Sequence, residues 1–316
     1  MHEVVAEVWR GQLAESVHHG SVAGLDTDGG LVLRLGQPEA VTFPRSSNKP
    51  LQALGMLRAG LDLDGELLAL ACASHSGEPF HLDGVRRILA LGGLTEADLR
   101  CTADFPLNEN ARRAKLAEGF EPTPLFMNCS GKHAAMLLTC VHNGWPTATY
   151  LDPEHPLQRL IAETIAELAG EPIAASSVDG CGAPLFGFGL TGLATAFRTL
   201  ALAKEGTDEH RIAAAMNAHP EWVGGTGRDV TELMRALPGA VCKDGAEGVH
   251  AIALPDGRAV TLKIADGASR ARPVVMVAAL RRLGVSSPAL ERIGEVPVLG
   301  HGAPVGSIRP AGALAD

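Results

Sequence analysis

The chain has 316 residues, 46% of them hydrophobic and 20% charged, with a formal net charge of −9. That is the profile of a folded globular protein, long enough for one large domain or two interleaved subdomains. The acidic balance and an aromatic content of 4% with a single tyrosine argue against a base-stacking platform or an anionic membrane surface as partner.

The opening residues, Met1-His2-Glu3-Val4-Val5-Ala6-Glu7, do not form a basic region followed by an apolar stretch, so no signal peptide is expected. No run approaches the ~18 apolar residues of a membrane span. The expectation is a cytoplasmic protein. Cys72, Cys101, Cys129, Cys140, Cys181 and Cys242 are scattered with no Cys-x-x-Cys, which in that compartment reads as free thiols or metal ligands rather than disulfides.

Residues 3–8 alternate weakly and read as a strand. Ser21 to Leu25 and Leu31 to Leu35 flank Asp26-Thr27-Asp28-Gly29-Gly30 and read as a hairpin with an Asp/Gly turn. Pro44-Arg45-Ser46-Ser47-Asn48-Lys49-Pro50 follows. If a helix begins here, Ser46 and Lys49 share a face about one turn apart. A serine becomes a nucleophile when a base takes its proton, and a lysine is that base only when burial or a nearby cation keeps it neutral. Leu51, Leu54, Met56 and Leu57 form an apolar face that would carry Lys49 inward, and Pro50 falls in the first turn, where a missing N–H is cheap. The plainer alternative is a serine cap followed by a solvated lysine.

From about 50 to 237 the periodicity is mostly helical, over 51–60, 65–73, 83–92, 133–142, 157–168, 190–204 and 211–217. Three polar clusters interrupt it. Ala73-Ser74-His75-Ser76-Gly77-Glu78 reads either as a reactive loop or as a helix C-terminus closed by Gly77. Asn128-Cys129-Ser130-Gly131-Lys132-His133 leads into an apolar helix whose N-terminus suits an anion or oxyanion, unless Ser130 is only a cap. Ser177-Val178-Asp179-Gly180-Cys181-Gly182-Ala183-Pro184 is a tight turn. Cys129 and Cys181 are candidate soft metal ligands, with His133 or a neutral Lys132 to complete the set, or else ordinary buried thiols.

After 238 the strand signal returns. Gly248 to Leu254 and Arg258 to Ile264 flank Pro255-Asp256-Gly257 as the clearest hairpin in the chain. Cys242-Lys243-Asp244-Gly245-Ala246-Glu247-Gly248 opens it, with Lys243 expected at a strand start, and Lys263 ends it; either lysine is an active amine or an exposed strand residue. A helix over Pro273 to Leu283 and an edge strand within Val298 to Ile308 complete the reading. The fold class is α+β: one antiparallel sheet built from both chain ends, approximately 1–45 plus 238–316, with a large inserted helical lobe, approximately 46–237, in one catalytic unit spanning 1–316. Active sites lie in the cleft between such lobes.

Ser46/Lys49, Ser130/Lys132 and Lys243/Gly245 resemble, in order, the three motifs of serine β-lactamases and penicillin-binding proteins, although the middle one departs from Ser-x-Asn. The closer resemblance is to the bacterial L-asparaginase II family, asparaginases with a serine β-lactamase-like fold. It is carried by Arg45 to Pro50, Ala73 to Glu78, Asn128 to His133, Asp179 to Pro184, Lys243 to Val249 and Gly306-Ser307-Ile308-Arg309-Pro310, which together reach across nearly the whole chain.

The resemblance implies Ser46 as nucleophile with Lys49 as its base, and a second pair at Ser74 and Lys243, with Ser76 and Lys263 as alternatives. It implies zinc held by Cys129, Lys132 and Cys181, which anchors the substrate or braces the pocket rather than activating water. It implies a homodimer acting on L-asparagine, with Arg45, His75, Ser130, Gly245, Ala246 and Glu247 around the substrate. The expected reaction releases L-aspartate and ammonia through a serine acyl-enzyme. The rival readings are a related serine amidase or glutaminase, a β-lactam-recognising hydrolase, a zinc-dependent hydrolase using Cys129 and Cys181, and a binder of asparagine without turnover.

Overall fold

The computed structural model describes residues 2–315. The chain opens with β1 (Glu3–Arg10), β2 (Leu13–Leu25) and β3 (Leu31–Leu35). A 3₁₀ turn (Arg45–Asn48) then runs into α1 (Lys49–Arg58), followed by α2 (Gly65–Ala71), α3 (Pro79–Leu91), α4 (Glu109–Ala117), α5 (Ser130–Asn143) and α6 (Pro156–Ala169). A small hairpin, β4 (Ala175–Val178) and β5 (Pro184–Gly187), precedes α7 (Leu190–Ala201), α8 (Asp208–Ala218), α9 (Pro220–Val223) and α10 (Asp229–Ala236). The last part holds β6 (Val241–Asp244), β7 (Val249–Ala253), β8 (Ala259–Ile264), α11 (Arg272–Arg282), α12 (Pro288–Gly294), β9 (Val296–Gly300) and β10 (Ala303–Pro310).

Both chain ends build one antiparallel sheet in the order β6-β7-β8-β2-β1-β10-β9, with β3 also paired to β2. The junction is β2, whose Gly20 to Leu25 pairs with Ile264 to Ala259 of β8. β2 is longer than the hairpin read from sequence, because its residues 13–20 also pair with β1. The β7–β8 hairpin turns at Pro255 to Gly257, where Gly257 takes φ +93° and Leu254 N–H bonds Arg258 O at 2.8 Å. The expected single edge strand within Val298 to Ile308 is two strands joined at His301 and Gly302. β10 pairs with β1 inside the sheet and β9 forms the edge.

Helices cover both faces of the sheet. Thr261 Oγ1 donates to Leu190 O at the start of α7, while Gly24, opposite the neighbouring Val260, faces Leu283 beyond α11. This two-sided cover explains why β7 is buried throughout and β8 at every residue but Lys263. Thus α7, within the stretch read as a helical lobe, packs on β2, β7 and β8, while α1, α2, α5, α6 and α8 pack on one another. A single hydrophobic core runs through both groups. The β4–β5 hairpin and the polar helix α4 were missed in the sequence. Strand β4 is short and mostly exposed, and α4 buries no residue, so neither carries an apolar period.

Candidate active site

The nucleophile candidate sits on a strained turn. Arg45 has φ +53°, left-handed backbone that costs a non-glycine residue about 1–3 kcal/mol. The following 3₁₀ turn has three residues per turn, so positions 46 and 49 eclipse, and Lys49 N–H bonds Ser46 O. Ser46 is partly exposed, while Lys49 is 1% exposed. Lys49 Nζ does not reach into solvent. It donates to Ala73 O at 2.6 Å and to Ser74 Oγ at 3.0 Å.

Of the two serines in that loop, Ser74 is therefore the one joined to Lys49. Ser76 Oγ donates instead to Gly224 O at 2.9 Å. Its turn fits tightly against Gly225 (φ +134°), where a Cβ would lie 2.2 Å from Ser76 Oγ.

Ser46 lines a cleft of about 250 Å³ together with Arg45, Asn128, Cys129, Asp179, Cys181 and Ala246, with Thr102 and Asp104 on one wall. A larger, more open hollow of about 550 Å³ lies between α10, α11 and α12, but its lining residues include no nucleophile. In the cleft, Arg45 Nε donates to Asp179 Oδ1 at 2.8 Å, and Asp179 Oδ1 also accepts from Gly180 N–H at 2.8 Å. Glu247, at φ +59°, reaches Arg45 Nη1 at 3.9 Å from the rim.

Lys243 lies at the end of β6, not at a strand start, and is fully buried. Its Nζ donates to Asp244 Oδ1 at 2.6 Å and to Asp244 O at 2.8 Å. Burial pulls it down to about 8, against the pull of Asp244. The next residue, Gly245, is fixed by contact: a Cβ there would sit 2.5 Å from Pro44 O and 3.2 Å from Ser47 N. Only glycine lets the end of β6 press against the Ser46 turn. Lys263 is half-buried and donates to Glu247 O and Ile264 O, which puts it beside a neighbouring hollow rather than in the Ser46 cleft.

Two expected substrate contacts are placed elsewhere. His75 and Ser130 are both 0% exposed and do not line the cleft. They are a relay of structural bonds. Gly77 N–H donates to His75 Nδ1, His75 Nε2–H donates to Ser130 Oγ at 2.9 Å, and Ser130 donates to Leu125 O at 2.8 Å. Burial holds His75 well below its ordinary value, which keeps it neutral in this tautomer. Ser130 is the first residue of α5 and Cys129 its cap. Gly245 is buried, and Ala246 is the residue of that turn on the cleft.

Cys129, Lys132 and Cys181 converge at the floor of the cleft. All six cysteines are free and buried. Lys132 Nζ lies 3.3 Å from Cys181 Sγ. The Cys129 thiol is pushed well up by its hydrogen bond to Cys181 and by burial; Cys181 is pushed far down by that same bond, by Lys132 and by His133. The pair holds a thiolate at Cys181. Tyr150 OH, which accepts from Arg100 N–H, bonds His133 Nδ1 at 2.7 Å, while His133 Nε2, buried beside Cys181, has no hydrogen-bond partner of ordinary geometry. Two soft sulfurs, an amine and an orphaned imidazole nitrogen form a donor set that fits a borderline-soft divalent ion such as zinc. Among the described residues no three His, Cys, Asp or Glu side chains group as a metal site; the third donor here is an amine.

The sequence profile of the L-asparaginase II family matches residues 6–310. The chain belongs to the L-asparaginase II family. No curated protein matches it. Similar solved structures include a β-lactamase from Mycobacterium bovis (14% identity, 84% of this chain and 95% of that one, TM-score 0.48). A hydrolase with promiscuous acyltransferase activity is also similar (14%, 83% and 93%, TM-score 0.45), as is a putative β-lactamase from Bacteroides dorei (13%, 78% and 84%, TM-score 0.44). As a member of the L-asparaginase II family, the protein is a hydrolase. Among its described residues no helix is long and apolar enough to cross a membrane.

Asp179 and Asn128 went unassigned in the sequence, although both lie inside quoted motifs. Asp179 was recoverable as the acid of a Gly-rich turn. Thr102 and Asp104 carried no signal, because a polar residue in a loop has no periodicity to betray it.

Proposed function

We propose that the protein hydrolyses L-asparagine to L-aspartate and ammonia through an acyl-enzyme on Ser46. The observation that carries the reading is Lys49: a buried amine one eclipsed turn from a cleft-lining serine, hydrogen-bonded to a carbonyl and a hydroxyl and to no carboxylate. Such an amine gives up its proton readily and then acts as a base.

Lys49 takes the Ser46 proton as Oγ attacks the side-chain amide carbon. The N–H groups of Ser46 and Ala246 face the developing oxyanion. The proton on Lys49 passes to the departing nitrogen, the C–N bond breaks, and ammonia leaves a β-aspartyl ester on Ser46. A water molecule, deprotonated by Lys49, attacks the ester; the C–O bond breaks and Ser46 regains its proton. Ser74 and Lys243 serve as the second pair, Ser74 relaying protons to Lys49. Arg45, held by Asp179, meets the substrate carboxylate. Cys129, Lys132 and Cys181 would hold zinc, which when bound supplies Lewis acidity toward a substrate amino or carboxylate group. The active unit is a homodimer in this reading.

Ammonia release from L-asparagine by wild type and Ser46→Ala, each with and without a zinc chelator, tests this. The expected result is loss in the variant and partial survival under chelation. Activity that persists in Ser46→Ala and vanishes on chelation would move the chemistry to the Cys129/Cys181 floor. Release from glutamine but not asparagine would make the protein a related serine amidase.

A further inference from the structure

Two lysines are buried side by side, and only one of them has a carboxylate. Lys243 is 0% exposed and donates to Asp244 Oδ1 at 2.6 Å. Lys49 is 1% exposed, and its bonds run to Ala73 O and Ser74 Oγ, neither of which carries charge. Asp244 is itself pinned. Arg228 donates to its Oδ2 at 2.6 Å and Arg272 to the same oxygen at 3.3 Å. Arg272 also holds Gly245 O at 3.0 Å and Asp229 at 3.2 Å. Successive strand residues ordinarily point to opposite faces. Here β6 ends at Asp244, and the amine of Lys243 folds back onto its neighbour's carboxylate and carbonyl.

A dry site disfavours two adjacent cations, and an excess proton settles on the amine next to the negative charge. We propose that Asp244 is a positioning residue that keeps this proton on Lys243 and thereby leaves Lys49 neutral, as the base for Ser46. The role given to Lys49 rests on the function proposed above; the location of the proton does not.

The other titratable groups that face Lys243 are Lys49 on α1, Cys72 after α2, Arg228 before α10, Cys242 on β6 and His250 on β7. Burial pushes Cys72 up to about 12, Cys242 well up and His250 down to about 4, so these three are neutral near pH 7. Lys49 is faced by Cys72, His75, Cys129 and His133; burial keeps Cys72, His75 and His133 neutral, and the hydrogen bond to Cys181 does so for Cys129. Burial and the Lys49 charge draw Lys243 down to about 8, with Asp244 opposing a further fall.

The test is the pH profile of kcat/KM for L-asparagine, joined to ¹⁵Nζ NMR of the lysine-labelled full chain. In Asp244→Asn, Lys243 loses its proton, its repulsion of Lys49 ends, and the acid limb moves up by about one pH unit. Lys243→Met moves it the same way, and the double variant moves it no further. Arg228→Gln removes a cation facing Lys243, so the limb moves down. An Asp244→Asn enzyme that is slower but has an unmoved limb overturns the proposal, since a residue that only braces β6 would behave so. If Asp244→Asn fails to fold, an unmoved or raised limb in Arg228→Gln overturns it equally. The six lysines are assigned with Lys49→Met and Lys243→Met. The expected spectrum at pH 7 shows an ammonium at Lys243 and an amine at Lys49, and the reverse overturns the proposal. This arm needs no turnover, so it decides the question even if asparagine is not the substrate.

Discussion

Arg45 Nε and Asp179 Oδ1 lie 2.8 Å apart and join two turns 134 residues distant in the chain. The bond holds the left-handed residue immediately before Ser46. It therefore anchors the turn of the candidate nucleophile while pointing a guanidinium into the cleft.

Asp179→Asn keeps an acceptor for Gly180 N–H but removes the charge that holds Arg45. We expect kcat/KM to fall by about tenfold, mostly through KM. The melting temperature should hardly move, because a partly exposed pair of this kind is worth about 1 kcal/mol. Steady-state kinetics beside a thermal melt checks both. A loss confined to kcat would remove Arg45 from substrate binding.

Replacing Lys49 separates chemistry from stability. Lys49→Met should cut ammonia release by roughly a thousandfold or more. The fold should be as stable or more so, since an apolar chain replaces a buried amine that has no counter-charge. Lys49→Arg should also be inactive, because a guanidinium does not give up its proton. A Met variant that melts far below wild type would mean that the amine holds the 73–74 loop in place.

The two serines of the 72–78 loop give opposite outcomes. Ser74→Ala removes the partner of Lys49 and should lower kcat by about 10²-fold. Ser76→Ala breaks the bond to Gly224 O and should cost about 1 kcal/mol of stability with kcat nearly unchanged. Denaturant melts and kcat measured on the same preparations decide it, and equal losses of activity would undo the assignment.

Metal uptake should climb as pH rises from 6 to 9. Ligand binding by Lys132 and by the Cys129 thiol requires the loss of a proton from each. Cobalt(II) titration, which reports thiolate ligation by its charge-transfer band, should show binding to wild type and none to Cys129→Ser or Cys181→Ser. Undiminished cobalt–thiolate absorbance in Cys181→Ser would place the metal elsewhere.

Acid should destabilise the protein before its carboxylates titrate. Burial holds His81 and His250 at about 4, and His75 and His133 below their ordinary value as well. These groups are neutral in the fold and take up protons near 6.5 when unfolded. Between roughly pH 4 and 6.5 the unfolded chain therefore binds more protons, and stability falls as pH falls, by up to about 3 kcal/mol for each of His81 and His250. Urea midpoints at pH 7 and 5 should differ accordingly. His250→Gln should flatten the slope, and an unchanged slope would contradict the assignment.

The sequence by itself determined the parts whose signal is periodic or local. The β7–β8 hairpin was legible because alternating apolar residues flank a Pro-Asp-Gly turn. The helices around Leu51 to Leu57 and Leu157 to Leu168 were legible because one face of each repeats. The Ser46 and Lys49 spacing, and the closeness in kind of Cys129, Lys132 and Cys181, were also readable, since chemistry needs those residue types wherever the chain later puts them. Only the tertiary structure decided which partners meet. Nothing in Ala73 to Glu78 tells Ser74 from Ser76; the difference is that one faces Lys49 and the other Gly225. Lys243 and Lys263 sit on neighbouring strands with similar patterns, yet one is sealed beneath the Ser46 turn because Gly245 allows contact at Pro44 O, and the other stays half-buried beside Glu247. His75 and Ser130 look like site residues in any list of polar motifs, but burial makes them a brace. Hydrogen-bond partners and burial are properties of contacts far apart in the chain, and a local pattern of residues does not encode them.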